Sequence, residues 1–128
     1  IMLAPNAATP RIYFNLEFNV IGGLLDNFRP NGPDQPRAPK WDAEGVRIAG
    51  RHVGTLNDDS DTDHHWQVEV AIPWRNFAAV AAAVPPRPGT VMRMNLNQQS
   101  SGEQWRTHKQ LMNSMSPIVD ADGTMRAG

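Results

Sequence analysis

The stretch Trp66-Gln67-Val68-Glu69-Val70-Ala71-Ile72-Pro73-Trp74 constrains the fold of this chain more than any other. Trp66, Val68, Val70, Ile72 and Trp74 alternate with Gln67, Glu69, Ala71 and Pro73. A period of two in β-branched and aromatic residues predicts a half-buried antiparallel strand. Its apolar face carries two indoles, and burying an aromatic removes roughly 150–250 Å² from water. Trp66 and Trp74 are therefore expected in the core. Pro73 has no amide donor, so the chain should leave the sheet there.

Two more runs alternate in the same way. In Tyr13–Val20, Phe14, Leu16, Phe18 and Val20 share one face, and Tyr13, Asn15, Glu17 and Asn19 share the other. In Val91–Asn97, Met92, Met94 and Leu96 oppose Arg93, Asn95 and Asn97. Gly22-Gly23 marks a bend before a short strand over Leu24–Phe28. Val46–Leu56 carries a weaker strand with Val46 and Ile48 on one face. Ile1–Pro10 is aperiodic and reads as a loop, and Arg29–Lys40, with Pro30, Pro33, Pro36 and Pro39, as an irregular surface excursion. The Ala-rich Arg75–Val84 predicts a short helix stopped by Pro85-Pro86. Beyond Gln98 the pattern is lost, apart from Trp105 and a helical turn expected at Lys109–Met115. Strands without βαβ alternation predict an all-β fold, an antiparallel β-sandwich with one short helix.

The chain has 128 residues, the size of one domain, and 1–128 is read as a single domain. It opens on Ile1, so it is expected to be the C-terminal part of a longer domain, truncated at its N-terminus. Net charge is −1, from 12 basic and 13 acidic residues, which gives no electrostatic reason to expect nucleic acid. Ten of the twelve basic residues are Arg, scattered singly, which suits forked hydrogen bonding better than a diffuse basic patch. Absence of Cys excludes disulfides, thiolate catalysis and Cys-based metal sites. No apolar run approaches the ~20 residues of a membrane helix, so no membrane partner is expected.

The polar faces of the three best strands carry Asn15, Glu17 and Asn19; Gln67 and Glu69; and Arg93, Asn95 and Asn97. As neighbours in one sheet these would form a continuous wall of amides, carboxylates and guanidinium, groups that suit sugar hydroxyls. An antiparallel sheet also commonly has a merely solvated outer face. The depletion of Asn in ordinary strands tilts the balance toward function. Trp105 lies in a polar context, Ser101 to His108, and is either a platform for the C–H face of a pyranose or a ring folded over the core edge. Trp41 is undecided between core and surface. Asp59, Asp61 and Asp63 have the opening rhythm of a calcium loop without its later Gly and Glu, so Ca²⁺ is a candidate ligand and a solvated turn an equal explanation. His64 and His65 are strand neighbours that point to opposite faces and cannot easily share one ion. Glu17 and Glu69 could form the paired carboxylates of a glycosidase, although two strand glutamates are common and no spacing in the sequence tests the pairing.

Trp66–Trp74, with Gly54-Thr55-Leu56-Asn57 before it and Pro86-Arg87-Pro88-Gly89-Thr90-Val91 after it, resembles the family 9 carbohydrate-binding module. There a strand like Trp-x-Val-Glu-x-Ala-Ile-Pro-Trp precedes a short helix, a Pro/Gly turn and an Arg-x-Asn strand. Here these correspond to Trp66–Trp74, Asn76–Ala83, Pro85–Gly89 and Arg93-Met94-Asn95. Tyr13–Asn19 is similar to an earlier strand, and the resemblance covers about residues 12–97. It implies a non-catalytic sandwich that binds mono-, oligo- or polysaccharide, extracellular or periplasmic, and accessory to polysaccharide degradation or tethered to a catalytic domain. It also implies a tryptophan clamp, for which Trp105 is the candidate, with its partner upstream of Ile1. The tail after Trp105 departs from the family's closing strand. Two other classes stay open: a haem-binding electron-transfer domain of similar shape, and a glycoside hydrolase.

Overall fold

The computed structural model describes residues 1–38, 41–56, 58 and 60–100, together with three short strands beyond them. The described chain is all-β and antiparallel. Its strands are β1 (Met2–Ala4), β2 (Tyr13–Phe18), β3 (Leu24–Arg29), β4 (Arg47–Val53), β5 (His65–Ala71), β6 (Arg93–Asn95), β7 (Asn97–Ser100), β8 (Leu111–Ser114), β9 (Ile118–Val119) and β10 (Met125–Arg126). β3, β2, β1 and β6 form one four-stranded sheet in that order, and β4–β5, β7–β8 and β9–β10 form two-stranded ladders.

Three sequence expectations change here. Met2–Ala4, read as part of a loop, is an inner strand of the main sheet, flanked by β2 and β6. Three residues before Pro5 are too few to display a period. The expected helix over Arg75–Val84 is reduced to a 3₁₀ turn at Trp74–Phe77. Alanine favours helix, but an isolated helix this short is marginal in water, and packing decides. At Lys109–Met115 the expected helical turn is replaced by β8, which pairs with β7. Strand β5 ends at Ala71, just before Ile72-Pro73, as the missing proline donor requires.

The core lies elsewhere than the alternation around Trp66 implies. Phe14, Leu16 and Phe77 are buried, with Leu3, Phe28, Trp41, Ala43, Ile72, Val80 and Ala81 packed against them. Phe14 stacks on Phe28 with ring centroids 4.5 Å apart, meets Trp41 at 4.9 Å and takes Phe77 edge-on at 5.1 Å. Trp41 thus belongs to the core. The cover over the main sheet comes from the segments flanking the β4–β5 ladder. It is fastened by Asp26, whose carboxylate accepts the Ala43 amide at 2.7 Å. Asn76 adds a two-way bond to the Glu44 backbone, its Oδ1 accepting at 2.8 Å and its Nδ2 donating at 3.0 Å.

Trp66 and Trp74, expected in the core, are instead 52% and 44% exposed. Trp74 meets the core residue Phe77 edge-on, with ring centroids 6.1 Å apart. Alternation specifies that one face of β5 is apolar; it does not say that another element covers that face. Near Gly50, on the same face as Val68, the backbone of Val20 comes so close that a Cβ would collide with its carbonyl oxygen. The tip of the β2–β3 hairpin is seated there.

Phe14→Ala should lower the unfolding free energy in urea by about 3–5 kcal/mol. Trp66→Ala should cost less than half as much; a larger loss at Trp66 would move the core to β5. Gly50→Ala should destabilise by about 1–3 kcal/mol through the collision with Val20, and unchanged urea unfolding would contradict that packing.

Candidate saccharide-binding face

Burying Phe14 and Leu16 turns Tyr13, Asn15 and Glu17 to the opposite side of the main sheet, because side chains alternate along a strand. Register then arranges that face in rows. Asn15 lies opposite Asn27 on β3 and opposite Met2 on β1, and Met2 lies opposite Asn95 on β6. The adjacent row follows from the same pairing: Arg29 opposite Tyr13, then Ala4 opposite Arg93. Glu17, opposite Leu25, stands on the other side of the amide row. At roughly 4.8 Å between strands, the amide row spans roughly 14 Å of sheet.

Local hydrogen bonds orient these groups. Asn15 Nδ2 donates to Glu17 Oε1 at 2.8 Å, which holds the carboxylate and leaves the amide oxygen of Asn15 as an acceptor. Arg29 Nε donates to Asn27 Oδ1 at 3.2 Å, and its Nη1 donates to the Gln35 carbonyl at 2.9 Å. Asn27 is buried beside it, at 7% exposure. Arg29 therefore ties the Pro-rich excursion to the edge of the face. A second tie is the ion pair of Arg11 with Asp34 at 3.5 Å.

Of the residues singled out in the sequence, Asn15, Glu17, Arg93 and Asn95 come together on this face. The expected wall is nevertheless interrupted. Gln67 and Glu69 lie on β5, in the separate β4–β5 ladder, because β1 occupies the place beside β2. Glu17 and Glu69 accordingly sit in different sheets. Asn97 belongs to the β7–β8 ladder, opposite Ser114, and its Oδ1 is buried with no hydrogen-bond partner among the described residues. Asn19 closes the β2–β3 turn: its Oδ1 accepts the amides of Ile21 at 3.2 Å and Gly23 at 2.8 Å. Met94 shares a row with Leu3 and Phe14 as alternation expects, yet is 54% exposed at the sheet edge. Trp105 and Asp59 lie outside the described residues.

Asp61 and Asp63 serve the β4–β5 connection. Thr55 donates its hydroxyl to Asp61 Oδ1 at 2.7 Å and its amide to Asp63 Oδ1 at 2.9 Å. Asp58 accepts the Ser60 amide at 3.0 Å, and hydrogen bonding from Ser60 lowers its carboxyl pKa. Gly54, at φ +133°, has no room for a Cβ against Asp63. Among the described residues no three His, Cys, Asp or Glu side chains gather as a metal site.

Asn27 and Arg29 are members of the face that sequence reasoning did not single out, whereas alternation places Tyr13 on it without a role. Folding the hairpin at Gly22-Gly23 pairs Phe18 with Leu24 and carries Asn27 opposite Asn15, so the signal was present in the turn. Comparison with protein-family models, curated proteins and solved structures returns no match.

Asn19→Ala should cost about 1–2 kcal/mol in urea unfolding, since two turn amides lose their acceptor. Asn15→Ala, on the open face, should change stability by less than about 0.5 kcal/mol. The reverse order would show that Asn15 is a structural residue and Asn19 a free one.

Proposed function

We propose that this chain is a non-catalytic carbohydrate-binding domain of the β-sandwich type, accessory to polysaccharide breakdown outside the cytoplasm. The observation that carries this reading is the row Asn27–Asn15–Met2–Asn95, bordered by Glu17 on one side and by Tyr13 and Arg93 on the other. Amides donate and accept at once, as sugar hydroxyls do, and the carboxylate and guanidinium extend the same pattern at its borders. A pleated sheet holds such groups at fixed spacing, so little ordering entropy is lost on binding. Tyr13 supplies an aromatic ring within the face. Trp105 is the stacking residue that the sequence contributes to this reading. Glu17 is held by Asn15, and Glu69 belongs to another sheet.

Calorimetric titration with neutral and acidic oligosaccharides tests the proposal. Asn15→Ala should weaken binding about fivefold to tenfold, the value of one lost hydrogen bond of about 1 kcal/mol, with an unchanged melting temperature. Trp105→Ala should cost about 1–3 kcal/mol of affinity, by analogy with other aromatic platforms under ring ligands. Failure of the parent chain to bind any oligosaccharide, or release of reducing sugar that Glu17→Gln abolishes, would overturn the reading.

A further inference from the structure

The two ends of the face differ in charge. Arg29 and Arg93 stand in one row, with Tyr13 and Ala4 between them. Glu17 is the one carboxylate on the face among the described residues, and it lies beyond the amide row. By strand spacing and rise it is roughly 16 Å from the position of Arg93. Arg29 is occupied by Asn27 and the Gln35 carbonyl, so it contributes charge and positions the loop. Arg93 is different: it is exposed and has no ion-pair partner among the described residues. Its cross-strand neighbour is Ala4, a buried residue with no polar side chain to engage the guanidinium. Asp34, the acid of the Pro-rich excursion, is engaged by Arg11.

Resting on the saccharide reading above, we infer that the face selects a uronic acid, with the sugar carboxylate on Arg93 and its ring hydroxyls on the amide row. Arg presents a rigid fork of donors that matches a carboxylate in a way an amide or ammonium does not. Because the site is open, the charge contribution is screened by salt and should fall between low and physiological ionic strength.

The test compares trigalacturonate, its methyl ester and cellotriose in calorimetric titrations of the full 128-residue chain. The ester removes the charge and retains the hydroxyl pattern. Trigalacturonate should bind at least about tenfold tighter than its ester, the scale of a charge-assisted hydrogen bond, and that preference should shrink with added salt. Arg93→Gln should abolish the preference, Arg93→Lys should restore only part of it, and both should melt with the parent because the side chain is exposed. Equal binding of acid and ester, or an acid preference that survives Arg93→Gln, would overturn the uronate inference while leaving saccharide binding in place. Binding of none of the three ligands would remove both.

Discussion

The structure depends on the burial of Phe14. Its ring is stacked on Phe28, edged by Phe77 and leaned on by Trp41. These contacts join the main sheet, the segment before β4 and the 3₁₀ turn after β5. Each aromatic pair adds about 0.5–1.5 kcal/mol to the area it buries. Because the side chains of β2 alternate, anchoring Phe14 inward also fixes Asn15 and Glu17 outward. A slip of one residue would exchange the two sets completely. Packing on one side of the sheet therefore specifies the chemistry of the other.

Much of this was legible in the sequence where a period of two met a recognisable turn. Phe14 and Leu16 against Asn15 and Glu17, with the bend at Gly22-Gly23, point to the β2–β3 hairpin, and Met94 against Arg93 and Asn95 to the two faces of β6. What periodicity does not contain is the identity of the covering element. Trp66 and Trp74 have the stronger apolar pattern and remain half exposed, whereas Trp41, behind a Pro-rich excursion with no pattern, joins the core. Met2–Ala4 is too short to show a period at all, yet it separates β2 from β6 and brings Asn15 and Asn95 into one row. The Ala-rich segment shows the complementary lesson: propensity favoured a helix, and packing of Phe77, Val80 and Ala81 onto the sheet left a single 3₁₀ turn.

The two long connections are set by local polar bonding rather than by apolar burial. Arg29 reaches across to Gln35 and keeps the Pro-rich excursion at one edge of the amide row. Thr55 gathers Asp61 and Asp63, which gives the acidic run a role in closing β4 onto β5. Side chains that resemble ligands in the linear sequence, Asn19 among them, are thus partly committed to turns. Asn15 and Arg93 face outward on strands of the main sheet, and Asn15 bonds to Glu17 on its own strand rather than to a turn.

The central claim is that ligand binds on the face opposite Phe14. Its most direct measurement is a two-dimensional NMR titration with trigalacturonate and cellotriose, following side-chain amide, guanidinium and indole signals together. The signals of Asn15, Asn95 and Arg93 are expected to move with one common saturation curve while Gln67 and the Trp66 indole stay in place. Shifts centred on Gln67 and Trp66, with Asn15 and Asn95 unmoved, would put the site on the β4–β5 ladder and contradict the claim.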